Sequence, residues 1–133
     1  MATAVMAMAL STTVVALQCG FNHLDTARTS TAASQMIQSE MERLRLMNWA
    51  GITALPAQEE VNVTSVHSSA SIAGGRLTIY RNVSDAAGRG SNMKEISLTA
   101  QWTSIDGQVH SRIFHMRYAR NGLFDYYYNH AQS

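Results

Sequence analysis

The feature that most constrains this chain is a run without charge. Residues 1–24 contain no Asp, Glu, Lys or Arg, and the first charged side chain is Asp25. Seventeen of those 24 residues are apolar or Gly, the remainder being Thr3, Ser11, Thr12, Thr13, Gln18, Asn22 and His23. As a helix rising ~1.5 Å per residue, the run would extend about 36 Å, which exceeds a hydrocarbon core of ~30 Å. It is rich in Ala and Thr rather than Leu and Ile, so its four hydroxyls must bond back to the helix or to a neighbour. No Lys or Arg precedes Arg28, so the basic start of a secretory signal is missing. Three placements follow: a helix in a membrane or bundle, a buried helix of a soluble core, or a targeting remnant. The scarcity of charge favours the first.

Helical character continues beyond the run, because residues 25–48 contain neither Gly nor Pro and end in strong helix formers. Ala33, Ile37, Met41 and Leu44 recur at three- to four-residue spacing, and Glu40 with Arg43 and Glu42 with Arg45 form i,i+3 pairs on the flanks. Trp49, Ala50 and Gly51 are expected to close the helix, and Pro56 to prevent its resumption. An unbroken helix over residues 1–48 would be a rod of about 72 Å, longer than the rest of the chain could cover. Its first half must therefore project, and an apolar projecting half needs lipid or copies of itself.

After Pro56 the periodicity changes to two. Val61, Val63 and Val66 alternate with polar residues, as do Leu77 and Ile79 beyond a linker at residues 68–75. Residues 84–92 read as a loop, and Ile96, Leu98, Ala100 and Trp102 mark one face of a longer strand. Asp106-Gly107 signals a hairpin, whose register can be argued. A two-residue loop would set Leu98 against His115 and Ile96 against Arg117, mixing charged and apolar side chains on one face. A three-residue loop at 105–107, with Gly107 left-handed, pairs Leu98 with Phe114 and Ile96 with Met116 and keeps the face apolar.

The expected fold is therefore α+β. A long helix over about residues 1–48 lays its C-terminal half, through Ile37, Met41 and Leu44, on an antiparallel sheet of about four strands. The sheet's core is Leu77, Ile79, Ile96, Leu98, Phe114 and Met116. Residues 1–24 form the apolar half and residues 25–133 the head. The tail, with Leu123, Phe124 and Tyr126 to Tyr128, adds an edge strand or packs on a neighbour.

The residues also resemble a known family. The helix end Gln38-Ser39-Glu40-Met41-Glu42-Arg43-Leu44-Arg45, soon followed by Trp49, looks like that of bacterial type IV pilins and pseudopilins. The segment from Ile96 to Gly107, its partner strand and Ala119-Arg120-Asn121-Gly122-Leu123 are similar to the closing hairpin of minor pilins and minor pseudopilins. The likeness covers most of the chain and is architectural more than motif-based. It implies a subunit inserted in the bacterial inner membrane, then drawn by an assembly platform into an extracellular pilus or a periplasmic pseudopilus. Its partners would be copies of itself or homologous subunits, and the bilayer before assembly. Val5, Met8, Val14, Val15, Leu17 and Phe21 would pack the filament core. The chain departs from the pattern at its start, where the cleavage-site Gly and the Phe/Met-Thr-Leu-Xaa-Glu sequence are absent and position five is Val5. It reads as beginning partway through the family's apolar segment, so no residue here carries the family's usual glutamate pairing.

Enzymatic and cofactor chemistry finds little foothold. His23, His67, His110, His115 and His130 show no metal-ligand spacing, and His110 and His115 would point to opposite faces of a strand. Asp25, Asp85, Asp106 and Asp125 each sit beside a helix turn, loop or hairpin, where Asp has structural work. No G-x-S-x-G elbow occurs, and the glycine pairs lack the strand-to-helix context of phosphate loops. A net charge of +1 supplies no field for nucleic acid, and the single Cys19 excludes an intrachain disulfide. On the core helix Cys19 is expected to be a small buried residue. The sequons at Asn62 and Asn82 are read as chance. The expectation is a non-enzymatic subunit needing no metal or cofactor. The alternatives are a minor pseudopilin that primes or tips a secretion fibre, and a membrane-anchored periplasmic binding module or adhesin.

Overall fold

The computed structural model describes residues 2–62 and 76–123. Helix α1 spans Ala2–Arg45, α2 Trp49–Thr53, and strands β1 to β4 cover Gln58–Val61, Leu77–Asp85, Met93–Thr103 and Val109–Ala119. The strands form one antiparallel sheet in the order β1-β2-β3-β4. The arrangement is the expected α+β one, with α1 about 66 Å long at ~1.5 Å per residue.

α1 stops at Arg45, three residues short of the expected end, because Asn48 is a better cap than a helix interior residue. Its side chain accepts from the Gly51 amide at 2.9 Å and starts α2. The last turn of α1 tightens, with the Met47 amide donating to the Leu44 carbonyl at 3.2 Å. Trp49, Ala50 and Gly51 therefore open a second helix rather than close the first, and Ile52 carries it into the core.

The helix buries Thr29, Ala32, Ala33, Met36, Ile37, Glu40 and Leu44, a stripe at three- to four-residue spacing. Ile37 and Leu44 are fully covered, whereas Met41 lies at the margin, half-buried against the core, and Met36 takes the central position. From the sheet come Leu77, Ile79, Ile96, Leu98, Ala100, Trp102 and Tyr118. Phe114 and Met116 face the same way but are only partly buried, since β4 is an edge strand. Tyr118 closes that edge, donating from its hydroxyl to the Met47 carbonyl at 2.6 Å.

The hairpin has the three-residue loop. Leu98 pairs with Phe114 and Ile96 with Met116, the Ser104 amide donates to Gln108, and Gly107 has φ 83°. Two boundaries differ from expectation. β1 lies over residues 58–61 rather than beginning at Val61, because Glu59 stands directly opposite Arg81 and the pair outweighs the poor strand propensity of Gln-Glu-Glu. β2 runs on through Ser84 and Asp85, where the Lys94 ammonium meets the Asp85 carboxylate at 2.6 Å across the ladder. The expected strand positions Val63 and Val66, the linker at 68–75 and the tail from Phe124 lie outside the described residues.

Candidate assembly and membrane surface

Below the head, α1 is bare. Val5, Met8, Val14, Val15, Leu17 and Phe21 are between 52% and 73% exposed, as are Met6, Leu10 and Leu24, which belong with them. Residues 2–24 include no buried side chain, and Cys19, expected to be covered, is exposed in the single chain. By length and composition this helix is able to cross a membrane.

At 100° per residue the six named side chains do not form one stripe. Val14, Leu17 and Phe21 share a face with Met6, Leu10 and Leu24, while Val5, Met8 and Val15 lie on the opposite side. Between the two faces run Ala9, Thr13, Ala16 and Gly20, at spacings of four, three and four. An all-round apolar helix suits an all-round apolar environment, and a small-residue track allows another helix to approach closely. The hydroxyls meet the same requirement. Ser11 donates to the Met8 carbonyl at 2.9 Å, Thr12 to Ala9 at 2.9 Å and Thr13 to Ala9 at 2.6 Å, so none of these three needs water.

The upper limit of the bare segment is a clasp. Asp25 lies in mid-helix rather than at a turn, and its carboxylate accepts from Arg76 Nη2 at 3.3 Å and from the Ile105 amide at 3.3 Å. Beside it the Thr26 and Ser104 hydroxyls meet at 3.2 Å. The first charge in the chain thus pins the tip of the β3–β4 hairpin to the helix where it leaves the head.

Higher up, an ionic cluster joins helix and sheet. Glu40 receives Arg43 at 2.7 and 2.8 Å on its own helix and Arg81 of β2 at 2.7 Å, while Arg81 also reaches Glu59 of β1. Arg81 and Glu40 are both buried. The hydrogen bonds it donates to the Glu40 carboxylate hold the Arg43 guanidinium above its ordinary range. The i,i+3 spacing gives the Glu40–Arg43 pair on the flank of the stripe, but not the burial of Glu40 against Arg81. The available signal was the alternation Leu77, Ile79, Arg81, which puts a charge on the core face and demands a partner.

The histidines are dispersed. His110 stacks on Trp102 with ring centroids 5.6 Å apart, and His115, on the other face of β4, lies 3.9 Å from Glu95. His67 and His130 lie outside the described residues, among which no three His, Cys, Asp or Glu side chains gather as a metal site. A groove of about 400 Å³ lined by Gln38, Met41, Glu42, Arg45 and Phe114 opens between α1 and β4.

Fold and surface together define a coarse class, a covered α+β head on one helix long and apolar enough to cross a membrane. No protein-family model, curated protein or solved structure matches the chain.

Proposed function

We propose that this protein is a structural subunit, held in a bilayer by the bare half of α1 and then assembled through that half into a pilus-like filament. The observation that carries the reading is the junction at Asp25. A well-covered head is clasped to a helix whose preceding residues are uncharged and exposed all round. Water does not tolerate such a surface, and burying it supplies roughly 25 cal/mol per Å² of apolar area. Lipid covers it before assembly, and copies of the same helix or homologous ones afterwards. In this reading the head is the outer surface and its sheet performs no chemistry.

Electron microscopy of material sheared from the native cells, with the subunit identified by mass spectrometry, tests the proposal. Thin filaments built mainly of this chain are expected. A chain that stays in the membrane fraction, with no filament containing it, would move the reading to a minor pseudopilin or an anchored binding module.

A further inference from the structure

The junction that ends the bare segment also fixes the height of a loop. Because the Asp25 carboxylate accepts from the Ile105 amide and Thr26 meets Ser104, the tip of the β3–β4 hairpin is held level with the last residues of the uncharged run. The uncharged run up to Leu24 is long enough to cross ~30 Å of hydrocarbon and Asp25 is the first charge after it, so a spanning helix places Leu24 and Asp25 at the boundary between acyl chains and headgroups. The hairpin tip must then lie at that boundary as well.

Its chemistry fits the position. Ile105 is 65% exposed, in a loop otherwise made of Ser104, Asp106, Gly107 and Gln108, and Val109, the first residue of β4, is 62% exposed. A branched apolar side chain at the point of a polar turn has no packing role within the head. At the height of Leu24 it would enter the first few ångströms of the acyl region, while the neighbouring Asp106 and Gln108 remain among hydrated headgroups. The Arg76 charge is matched by Asp25, and the exposed Arg28, one turn further along α1, adds a positive charge near the level of lipid phosphates.

We propose that the Ile105 tip of the β3–β4 hairpin is a second membrane contact, seated in the interface of the bilayer that α1 spans. The proposal rests on the membrane placement above and adds to it a fixed orientation. With two points of contact, at α1 and at Ile105, the head cannot swivel freely about the helix axis, and every inserted copy presents the same face along the membrane.

The test is spin-label accessibility on the full chain reconstituted in vesicles of phosphatidylethanolamine and phosphatidylglycerol. In a Cys19→Ser background a nitroxide is attached at Ile105→Cys, at Val15→Cys within the span, and at Arg89→Cys in the loop at the far end of the sheet. Collision with oxygen, which concentrates in lipid, is compared with collision with a water-soluble nickel chelate. The expected result is an oxygen-to-nickel ratio several-fold higher at Ile105 than at Arg89, and higher still at Val15. A lipid ratio at Val15 with an aqueous ratio at Ile105 would overturn the second contact and leave the span intact. Aqueous ratios at both would overturn the membrane placement and the contact with it. Shielding of Ile105 from both reagents would mean that protein covers the tip, and would also overturn the proposal.

Discussion

Arg81→Ala removes a guanidinium whose side chain is 3% exposed and which hydrogen-bonds Glu40 of α1 and Glu59 of β1. The change breaks the link between helix and sheet without leaving Glu40 bare, since Arg43 still holds both of its oxygens. Removing one member of a buried ion pair destabilises by about 3–5 kcal/mol, and the retained Arg43 puts this case near 3 kcal/mol. At ~1–3 kcal/mol per M of urea, the unfolding midpoint should fall by roughly 1–3 M. The assay is urea unfolding of the full chain in detergent micelles, followed by tryptophan fluorescence. Both tryptophans, Trp49 and Trp102, lie in the head, so the signal ignores the bare helix. The double variant Glu40→Leu with Arg81→Met should recover most of the loss, because apolar replacement of a buried pair is often neutral or stabilising. An Arg81→Ala protein within about 0.5 kcal/mol of the parent, the range of surface substitutions, would refute the claim that this cluster couples helix to sheet.

Two further outcomes follow from the same structure. Val15→Asp puts a carboxylate on the bare helix at a site touching nothing in the head, at about 2.5–3.5 kcal/mol against insertion. It should abolish membrane retention and assembly while leaving the urea midpoint unchanged, and equal unfolding of the head would show that the two halves are not separable. Gly107→Ala meets no atom within 4 Å of the added Cβ but must hold φ at +83°, so it should lower stability by about 1–2 kcal/mol, with Gly107→Asn losing less. Equal urea midpoints for Gly107→Ala and the parent would contradict the left-handed turn.

Patterns that repeat were readable from residues alone. The stripe at Ala33, Ile37 and Leu44 and the alternation of Ile96, Leu98, Ala100 and Trp102 each draw on several positions, and the hairpin register followed from refusing to bury His115 and Arg117. Features that depend on one residue's distant partner were not. Asn48 outcompeted helix continuation through a single cap, and Glu59 drew β1 toward Arg81 against its own propensity. The clasp at Asp25 joins positions 51 and 80 residues away, a separation no local spacing reports. The extent of the bare surface was legible in the absence of charge before Asp25, and its two apolar faces follow from the 100° rotation per residue.

If lipid and then neighbouring helices cover the bare half of α1, water never meets it in the working protein, and the native Cys19 reports on this directly. Exposed in the single chain and six residues inside the uncharged run from Asp25, it is the chain's one thiol. A charged, membrane-impermeant maleimide is applied to native membranes and to any filaments, with Cys19→Ser/Asn82→Cys, on an exposed head residue, as the labelled control. Cys19 is expected to stay unmodified in both preparations and to react fully once sodium dodecyl sulfate is added. Modification of Cys19 at the rate of the Asn82→Cys control, before any detergent, would contradict it.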